Sequence, residues 1–467
     1  MPGVRNNRLR EDRSMNVKKM GIWTAGILVL VLAVTETIRN TTKFPHVLPA
    51  TRLAEAPEAV YSTILSDSWN LIFYYLFSRH VDAHLSAEFP EGAPFHESDG
   101  FLRSLQLQVS TRTFERKETG DRAIDPLYPS FFSDEGARVV LSDPTYAEFR
   151  KALQGALQEN TQRSAMARAT MQNDLWSAYD IFYRYKFHKE ARENDLAVHR
   201  LEVLGLLGQL IRKIALTPEK IRLLPDNYSA ARTKYALPDL FGRNSGWAEV
   251  RWFPRRLHDD AVDFRRVTRV FLKPARPHQD MQKFLNDFRR NQKKSAAALD
   301  GVALVVQPLL IDTQGQLTPA LVTTDVQFRL FEKTTQGAFQ RTQIGIYEVS
   351  RKRLLGQPES GGMVEEAESE PAYLPSAGND YSFASPQSKD SGPPTPVVVR
   401  LRTRCAFCHG DSDLTNVMTF AMNFPPEEGL GPAVRQLNPA AHEAADFVIS
   451  QKAKGEAWNT LHQFFEK

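Results

Sequence analysis

The chain has 467 residues, 59 basic and 55 acidic side chains, a formal net charge of +4 and only two cysteines. This length predicts about two or three domains. A composition of 42% hydrophobic and 24% charged residues is that of a globular protein. Two cysteines exclude a scaffold held together by disulfides, and so small a net charge gives no reason to expect a nucleic-acid partner.

The whole excess of positive charge lies in the first twenty residues, which hold six basic and two acidic side chains. The fourteen residues Gly21–Val34 follow without a charge. A basic leader before an apolar stretch is typical of a signal peptide or a membrane anchor. Residues 1–40 are interpreted as one of these two, which predicts a body that is periplasmic or on the outer face of a bacterial inner membrane. Cleavage and anchoring both stay open, because the stretch is shorter than the ~20 residues of a spanning helix.

Residues 41–64 contain three prolines and are predicted to form a tether. Residues 65–298 are predicted to be mainly helical, because apolar side chains recur there at helical spacing. One such stripe, interpreted as core, consists of Leu201, Leu204, Leu207, Ile211 and Ile214. Asp143-Pro144 and Thr217-Pro218 are helix-start signals.

The apolar pattern then changes to that of strands, so residues 299–354 are predicted to form an antiparallel sheet. Its main signals are the apolar run Val302–Val306, the turn Asp312–Gly315 and the alternating segment Gln343–Val349. Residues 355–396 are rich in Gly, Pro, Ser and Glu and are predicted to be a loop or linker. Helical spacing returns from residue 439, so the fold class is predicted to be α+β.

Both cysteines fall in one pentapeptide, Cys405-Ala-Phe-Cys408-His409. A zinc site is disfavoured, because structural zinc takes four ligands and no second ligand pair stands in the sequence. A thioredoxin-like redox pair is an alternative, since Val397–Leu401 is predicted to be a strand leading into the motif. Only 58 residues follow His409, too few for the remainder of that fold. A structural disulfide is the third alternative, although this spacing strains the loop.

The pentapeptide resembles the C-x-x-C-H haem-attachment motif of c-type cytochromes. The resemblance implies one covalent haem c, with Cys405 and Cys408 as thioether attachments and His409 as the proximal iron ligand. In that group, two intervening residues let both sulfurs reach the vinyl carbons on one porphyrin edge. Residues 397–467 are accordingly interpreted as a haem c segment. Export agrees with the resemblance, because haem is attached to such motifs outside the bacterial inner membrane.

The second axial ligand decides what such a haem does, since a thioether, a second imidazole and an open position favour different chemistry. Met418 or Met422 is the first candidate for this distal position. Histidines are the second group of candidates: His96, His188, His442 and His462. An open position is the third possibility.

Three arginines share one face of the predicted strand before the motif: Arg400, Arg402 and Arg404. They are candidates for ion pairs with the haem propionates, and equally for charges that guard a sheet edge. The strings Gln172–Trp176 and Leu216–Tyr228 resemble stretches of uncharacterised exported proteins with a single C-x-x-C-H. That second resemblance implies no activity.

The sequence thus predicts an exported haem protein that transfers single electrons to or from an unidentified redox partner protein, with the membrane as a second partner. A five-coordinate haem enzyme of the peroxidase type or a gas sensor is the alternative. A binding module with a structural haem is the third hypothesis. The chain has no P-loop, no dinucleotide-binding glycine motif and no serine nucleophile elbow.

Overall fold

The computed structural model describes residues 53, 56–86, 115–123, 133–160, 162–184, 193–242, 244–250, 265–275, 280, 282–283, 299–333, 339–365, 373–375, 398–400 and 442–466. All of them lie within one compact unit, Leu48–Lys467. The predicted leader, residues 1–40, lies outside the described residues. Helices and a largely antiparallel sheet confirm the α+β class. Of the helices in the described ranges, none is long and apolar enough to cross a membrane.

Most helices of the described residues precede the main sheet, as predicted. They are α1 (Ser68–Phe77), α2 (Ser133–Leu141), α3 (Thr145–Gln158), α4 (Ala165–Arg184), α5 (Glu193–Lys213), α6 (Pro218–Arg222), α7 (Asn227–Tyr235), α8 (Arg351–Gly356), α9 (His442–Lys452) and α10 (Glu456–Glu466). The helical tail predicted from residue 439 is therefore confirmed at α9 and α10.

One helix-start signal is confirmed and the other is displaced by one residue. Thr217 caps α6 by accepting a hydrogen bond from the Lys220 amide at 3.3 Å, and Pro218 is the first helical residue. Helix α3 begins at Thr145, so Pro144 occupies the capping position and contributes no side-chain hydrogen bond.

The strands form two sheets. They are β1 (Ser78–Ser86), β2 (Glu115–Ala123), β3 (Ala248–Val250), β4 (Arg266–Pro274), β5 (Leu299–Ile311), β6 (Leu317–Pro319), β7 (Asp325–Lys333), β8 (Phe339–Val349), β9 (Met363–Glu365), β10 (Tyr373–Pro375) and β11 (Val398–Arg400). The seven-stranded sheet has the order β3-β4-β5-β7-β8-β9, with β6 paired to β5, and all its pairs are antiparallel. The four-stranded sheet has the order β10-β11-β1-β2.

The long strand β5 explains why this region is almost continuously apolar in sequence. On one face, Ala303 and Val305 pack with residues of the α7 region in a buried cluster that includes Tyr228 and Leu240. On the other face, Val302 and Leu304 are buried as well. A strand that is buried on both faces has no polar alternation, which is why β5 is a run of hydrophobic residues.

The helices form the largest hydrophobic core of the described residues. Helix α4 runs through its centre, and Trp176 and Tyr179 are fully buried there. The C-terminal helices join the same core through Ala445, Trp458 and Leu461. Residues 442–466 therefore pack with the helical region, although the sequence assigned them to the haem c segment.

The sheet region is larger than the predicted range 299–354. Strands β3 and β4 lie within the range predicted to be mainly helical; β4 pairs with β5, and β3 pairs with β4. Strand β9 lies in the range 355–396 predicted to be a linker, and its residues Met363 and Val364 are buried against β8. Both departures have one cause, because short strands gain their stability from pairing with a sheet built elsewhere in the chain.

Part of the predicted tether, residues 41–64, also belongs to the body. Val60 is buried, and the amides of Val60, Tyr61 and Ser62 all donate to the side-chain oxygen of Asn70 at 2.8–3.2 Å. Residues 56–64, which include Pro57, contain no helix, and this stretch packs on the body instead.

The predicted core stripe of α5 is correct at four of its five positions. Leu204, Leu207, Ile211 and Ile214 are buried, whereas Leu201 is 64% exposed. Leu201 differs because this side of α5 faces solvent, as the exposed Val198 shows as well. Three residues of spacing place Val198 and Leu201 on the same side of the helix.

Two glycines of α5 give a matched test of this packing. A methyl group on Gly205 would meet nothing within 4 Å, whereas one on Gly208 would lie 2.6 Å from ring carbons of Phe464. We expect Gly205→Ala to raise the free energy of unfolding by about 0.5–1 kcal/mol, because alanine restricts the unfolded chain. We expect Gly208→Ala to lower it by about 1–3 kcal/mol through overpacking against α10. Urea denaturation of both variants checks this; equal shifts would contradict the described docking of α10.

Candidate functional site

The strand predicted to lead into the cysteine motif is present as β11, Val398–Arg400. Cys405, Cys408 and His409 themselves lie outside the described residues. So do Arg402 and Arg404, while Arg400 is described only as the last residue of β11. The structure therefore describes the chain up to Arg400, which stands five positions before Cys405.

The four-stranded sheet fixes where β11 ends. Strand β11 is parallel to β1, with Leu85 opposite Val399, and antiparallel to β10, with Tyr373 opposite Arg400. The chain consequently leaves β11 at the same end of the sheet at which it leaves β1. The register also sets His84 opposite Val398. The local sequence gives no sign that His84 stands next to β11, because the two strands are more than 300 residues apart.

The predicted distal ligands are mostly outside the described residues: Met418, Met422, His96 and His188. His442 begins α9. His462 lies on α10, where its Nδ1 is 3.3 Å from a carboxylate oxygen of Glu466 and its ring is 5.4 Å from that of Trp458. Within the described ranges, no three His, Cys, Asp or Glu side chains form a group that could hold a metal ion.

A buried polar network surrounds helix α4. Gln172 donates to the carbonyl oxygen of Ile311 and accepts from its amide, both at 2.8 Å, which ties α4 to the end of β5. Two buried aspartates of α4, Asp174 and Asp180, form further ties with cations of other segments.

Asp174 joins α4 to two segments that are distant in sequence. Its carboxylate accepts a bidentate pair of hydrogen bonds from Arg351 at 2.7 and 2.9 Å, and a third from the hydroxyl of Tyr61. A bidentate arginine pair is the strongest geometry that such an interaction takes. Asp174 thereby fixes both α8 and the segment that precedes α1.

Asp180 joins α4 to the C-terminal helix α9 and to Arg265, the residue that precedes β4. One of its oxygens lies 2.9 Å from Nζ of Lys452 and 3.4 Å from Nε of Arg265. Nζ of Lys452 also lies 4.9 Å from the ring centre of Trp176, a cation–π contact. All three charged side chains are at most 5% exposed.

This network stabilises the contacts between α4 and the segments around it. Each carboxylate is committed to cations, and both are buried away from solvent, so neither is placed to act on a substrate. The sequence alone assigns no role to the string Gln172–Trp176. A signal was available, because adjacent polar residues in the middle of an apolar helix indicate buried pairing.

A second polar cluster lies where α2, α3 and α5 meet. Glu202 accepts from the hydroxyl of Tyr146 and from Arg150, and these hydrogen bonds lower its pKa. Burial, with the bond to Glu202, raises the pKa of Tyr146 to about 12. His199 stacks on Tyr146 with 3.5 Å between ring centres, and its Nδ1 lies 2.8 Å from the carbonyl oxygen of Leu141. These groups are partners of one another and join three helices.

The hydroxyl of Tyr61 gives the α4 network a pH dependence. Burial raises its pKa well above the usual range, and the charge of Asp174 adds to the rise. The folded state therefore holds this proton more tightly than the unfolded chain, whose phenols ionise near pH 10. Its contribution to stability is complete below about pH 10 and is lost as the pH rises further. We expect the urea midpoint to fall less steeply above about pH 10 in Tyr61→Phe than in the wild type; equal slopes would contradict this.

Comparison of the sequence with protein-family models and with curated proteins, and of the fold with solved structures, gave no match.

Proposed function

We propose that the protein is an exported c-type cytochrome that carries one covalent haem and transfers single electrons. The observation that carries the proposal is that both cysteines of 467 residues stand in one C-x-x-C-H pentapeptide. Two thiols and the adjacent imidazole are the donor set that a covalent haem requires. Cys405 and Cys408 would hold the haem, and His409 would be its proximal ligand. Such a group supplies one-electron chemistry at iron, with a potential that depends on the second axial ligand and on burial.

The surroundings of β11 support haem attachment over a thioredoxin-like redox pair. In a thioredoxin-like fold, the strand before the motif would be followed by further strands of the same sheet. The residues described after β11 are 442–466, which form α9 and α10, and both helices pack on the helical core. The partners of β11 are β1 and β10, which both precede it in sequence.

Location and partners are part of the proposal. The basic leader and Gly21–Val34 would place the protein in the periplasm or hold it at the outer face of the bacterial inner membrane. Besides the membrane, its partner would be a redox protein. The proposed role requires the haem to lie near the surface, since electrons pass between proteins only over short distances.

A haem stain and a pyridine haemochrome spectrum test the proposal on protein made together with the cytochrome c maturation machinery. We expect covalent haem in the wild type and none in the double variant Cys405→Ala, Cys408→Ala. Each single variant should retain one thioether, seen as a haemochrome band at longer wavelength. Wild-type protein without covalent haem would contradict the proposal.

Spectra of the haem-loaded protein separate electron transfer from the other roles. A low-spin ferric haem that binds neither cyanide nor carbon monoxide would support a carrier. A high-spin haem that binds these ligands would favour a peroxidase-type enzyme or a gas sensor. A low-spin haem that exchanges no electrons with small mediators would indicate a structural haem.

A further inference from the structure

The loop of residues 62–67 presents two large aliphatic side chains to solvent. Ile64 is 63% exposed and Leu65 is 51% exposed. Their neighbours Thr63 and Ser66 are exposed too, so exposed residues run without a break from 63 to 66. Single exposed aliphatic residues are ordinary, whereas these two are adjacent in one loop.

The backbone of this loop is held in place by the body. Asn70 donates to the carbonyl oxygens of Ser62 and Ile64, both at 2.8 Å, and the Asp67 amide donates to the same oxygen of Ile64 at 3.0 Å. The Ile64 amide donates to the Ser62 hydroxyl at 3.2 Å. The exposure of Ile64 and Leu65 is therefore a property of a fixed loop.

Some polar groups of the loop are already paired within the protein. The backbone groups of Ile64 already have partners within the protein. The nearest charge, Asp67, is paired with Arg163 at 3.0 Å, and Thr63 and Ser66 are uncharged. Unpaired polar and charged groups make insertion into lipid costly, and at Ile64 both backbone groups are already paired.

The position of the loop in the chain indicates which apolar environment covers it. The uncharged stretch ends at Val34, and the body begins by residue 57, so about twenty residues join the two. At no more than about 3.6 Å per residue, this connection spans at most ~80 Å. The loop follows the connection directly. With Gly21–Val34 in the membrane, the loop is among the first described residues after the anchor.

We propose that Ile64 and Leu65 insert into the lipid surface and so orient the body on the membrane. The inference rests on the membrane anchor of the proposed function, and it adds a second membrane contact that does not depend on the haem. The occupant is the headgroup and upper acyl region of the bilayer. Aliphatic side chains on a fixed backbone bind there because they leave water without disrupting the fold.

The test uses the full chain in lipid nanodiscs of phosphatidylcholine and phosphatidylglycerol. A fluorescent dansyl-bearing amino acid replaces Ile64 in one variant and Val198 in a control variant. Val198 is a fair match, because it is also 63% exposed but lies on α5. Fluorescence is compared between discs with and without nitroxide groups on the acyl chains, so any quenching by haem cancels.

We expect nitroxide lipids to reduce the fluorescence at position 64 at least about twofold and to leave position 198 almost unchanged. Equal quenching at both positions, or none at position 64, would overturn the inference. A label at position 64 that changes only in native membranes would also overturn it, because a protein would then cover the loop. Failure of the chain to copurify with the discs would contradict both the membrane anchor and the inference. The haem stain on the same sample reports separately on the haem.

Discussion

Replacement of Asp180 by asparagine is expected to lower the free energy of unfolding by about 3–5 kcal/mol, the usual cost of breaking a buried ion pair from one side. The side chain keeps its volume, but Lys452 and Arg265 lose the negative charge that they share. Both cations are at most 5% exposed, so water cannot replace the carboxylate. Urea denaturation followed by tryptophan fluorescence measures the loss, because Trp176 lies beside Lys452.

A surface ion pair provides the matched control for Asp180. Glu219 pairs with Arg222 at 3.1 Å, but both side chains are about two-thirds exposed. Solvent screens such a pair, so Glu219→Gln should change stability by less than about 0.5 kcal/mol. A loss at Asp180 as small as that at Glu219 would show that α4 does not depend on its buried charges. Restored stability in the double variant Asp180→Asn, Lys452→Met would support the pairing itself.

Replacement of Gly361 by alanine is expected to destabilise the protein by about 2–5 kcal/mol, from backbone strain and overpacking together. Gly361 has a φ of +67°, and an added methyl carbon would lie 2.2 Å from the β-carbon of Asn227. Asn227 cannot move away without loss, because it is buried and donates to Thr323 and Gly361 while accepting from the Thr323 amide. The clash therefore disrupts the connection between α7 and the edge of the main sheet.

Gly246 separates the two contributions. Its φ is +76°, but an added methyl carbon would meet nothing within 4 Å. Gly246→Ala should consequently show only the backbone cost, about 1–2 kcal/mol. Thermal unfolding of the two variants under the same conditions measures the difference. Equal effects would mean that the contact between Gly361 and Asn227 is not close in solution.

The features of the fold that the sequence predicts well are those determined by neighbouring residues. The turn at Asp312 forms because its side chain accepts from the amides of Gln314 and Gln316, and Gly315 supplies a φ of +76°. The Thr217 cap likewise depends on residues within one helical turn. Such signals are local and do not require knowledge of the remaining chain.

The features that the sequence does not predict depend on distant partners. Strand β9 has three residues and is stable only because β8 is next to it. The docking of residues 57–64 requires Asn70 and Arg163 together. Leu201 fits the apolar spacing of α5, but no spacing rule shows where a helix meets solvent.

The candidate site divides in the same way. Haem attachment is predicted from five consecutive residues, because the spacing of the two thiols and the imidazole is itself the signal. The distal ligand depends on which element faces the iron, so Met418, Met422 and the histidines stay predictions. The pairing of Asp174 with Arg351 is a third case, since 177 residues separate the partners and no local pattern shows that these two residues pair.

The ion pair of Asp180 and Lys452 has a consequence for the order in which the core forms. The two residues are 272 positions apart, and the cysteine motif lies between them. During synthesis from the N-terminus, the motif emerges before Lys452. Asp180 can pair with Arg265 early, but its contact with Lys452 forms only when residues 442–466 have been made. Under the proposed function, both thiols would thus be available for haem attachment before the core is complete.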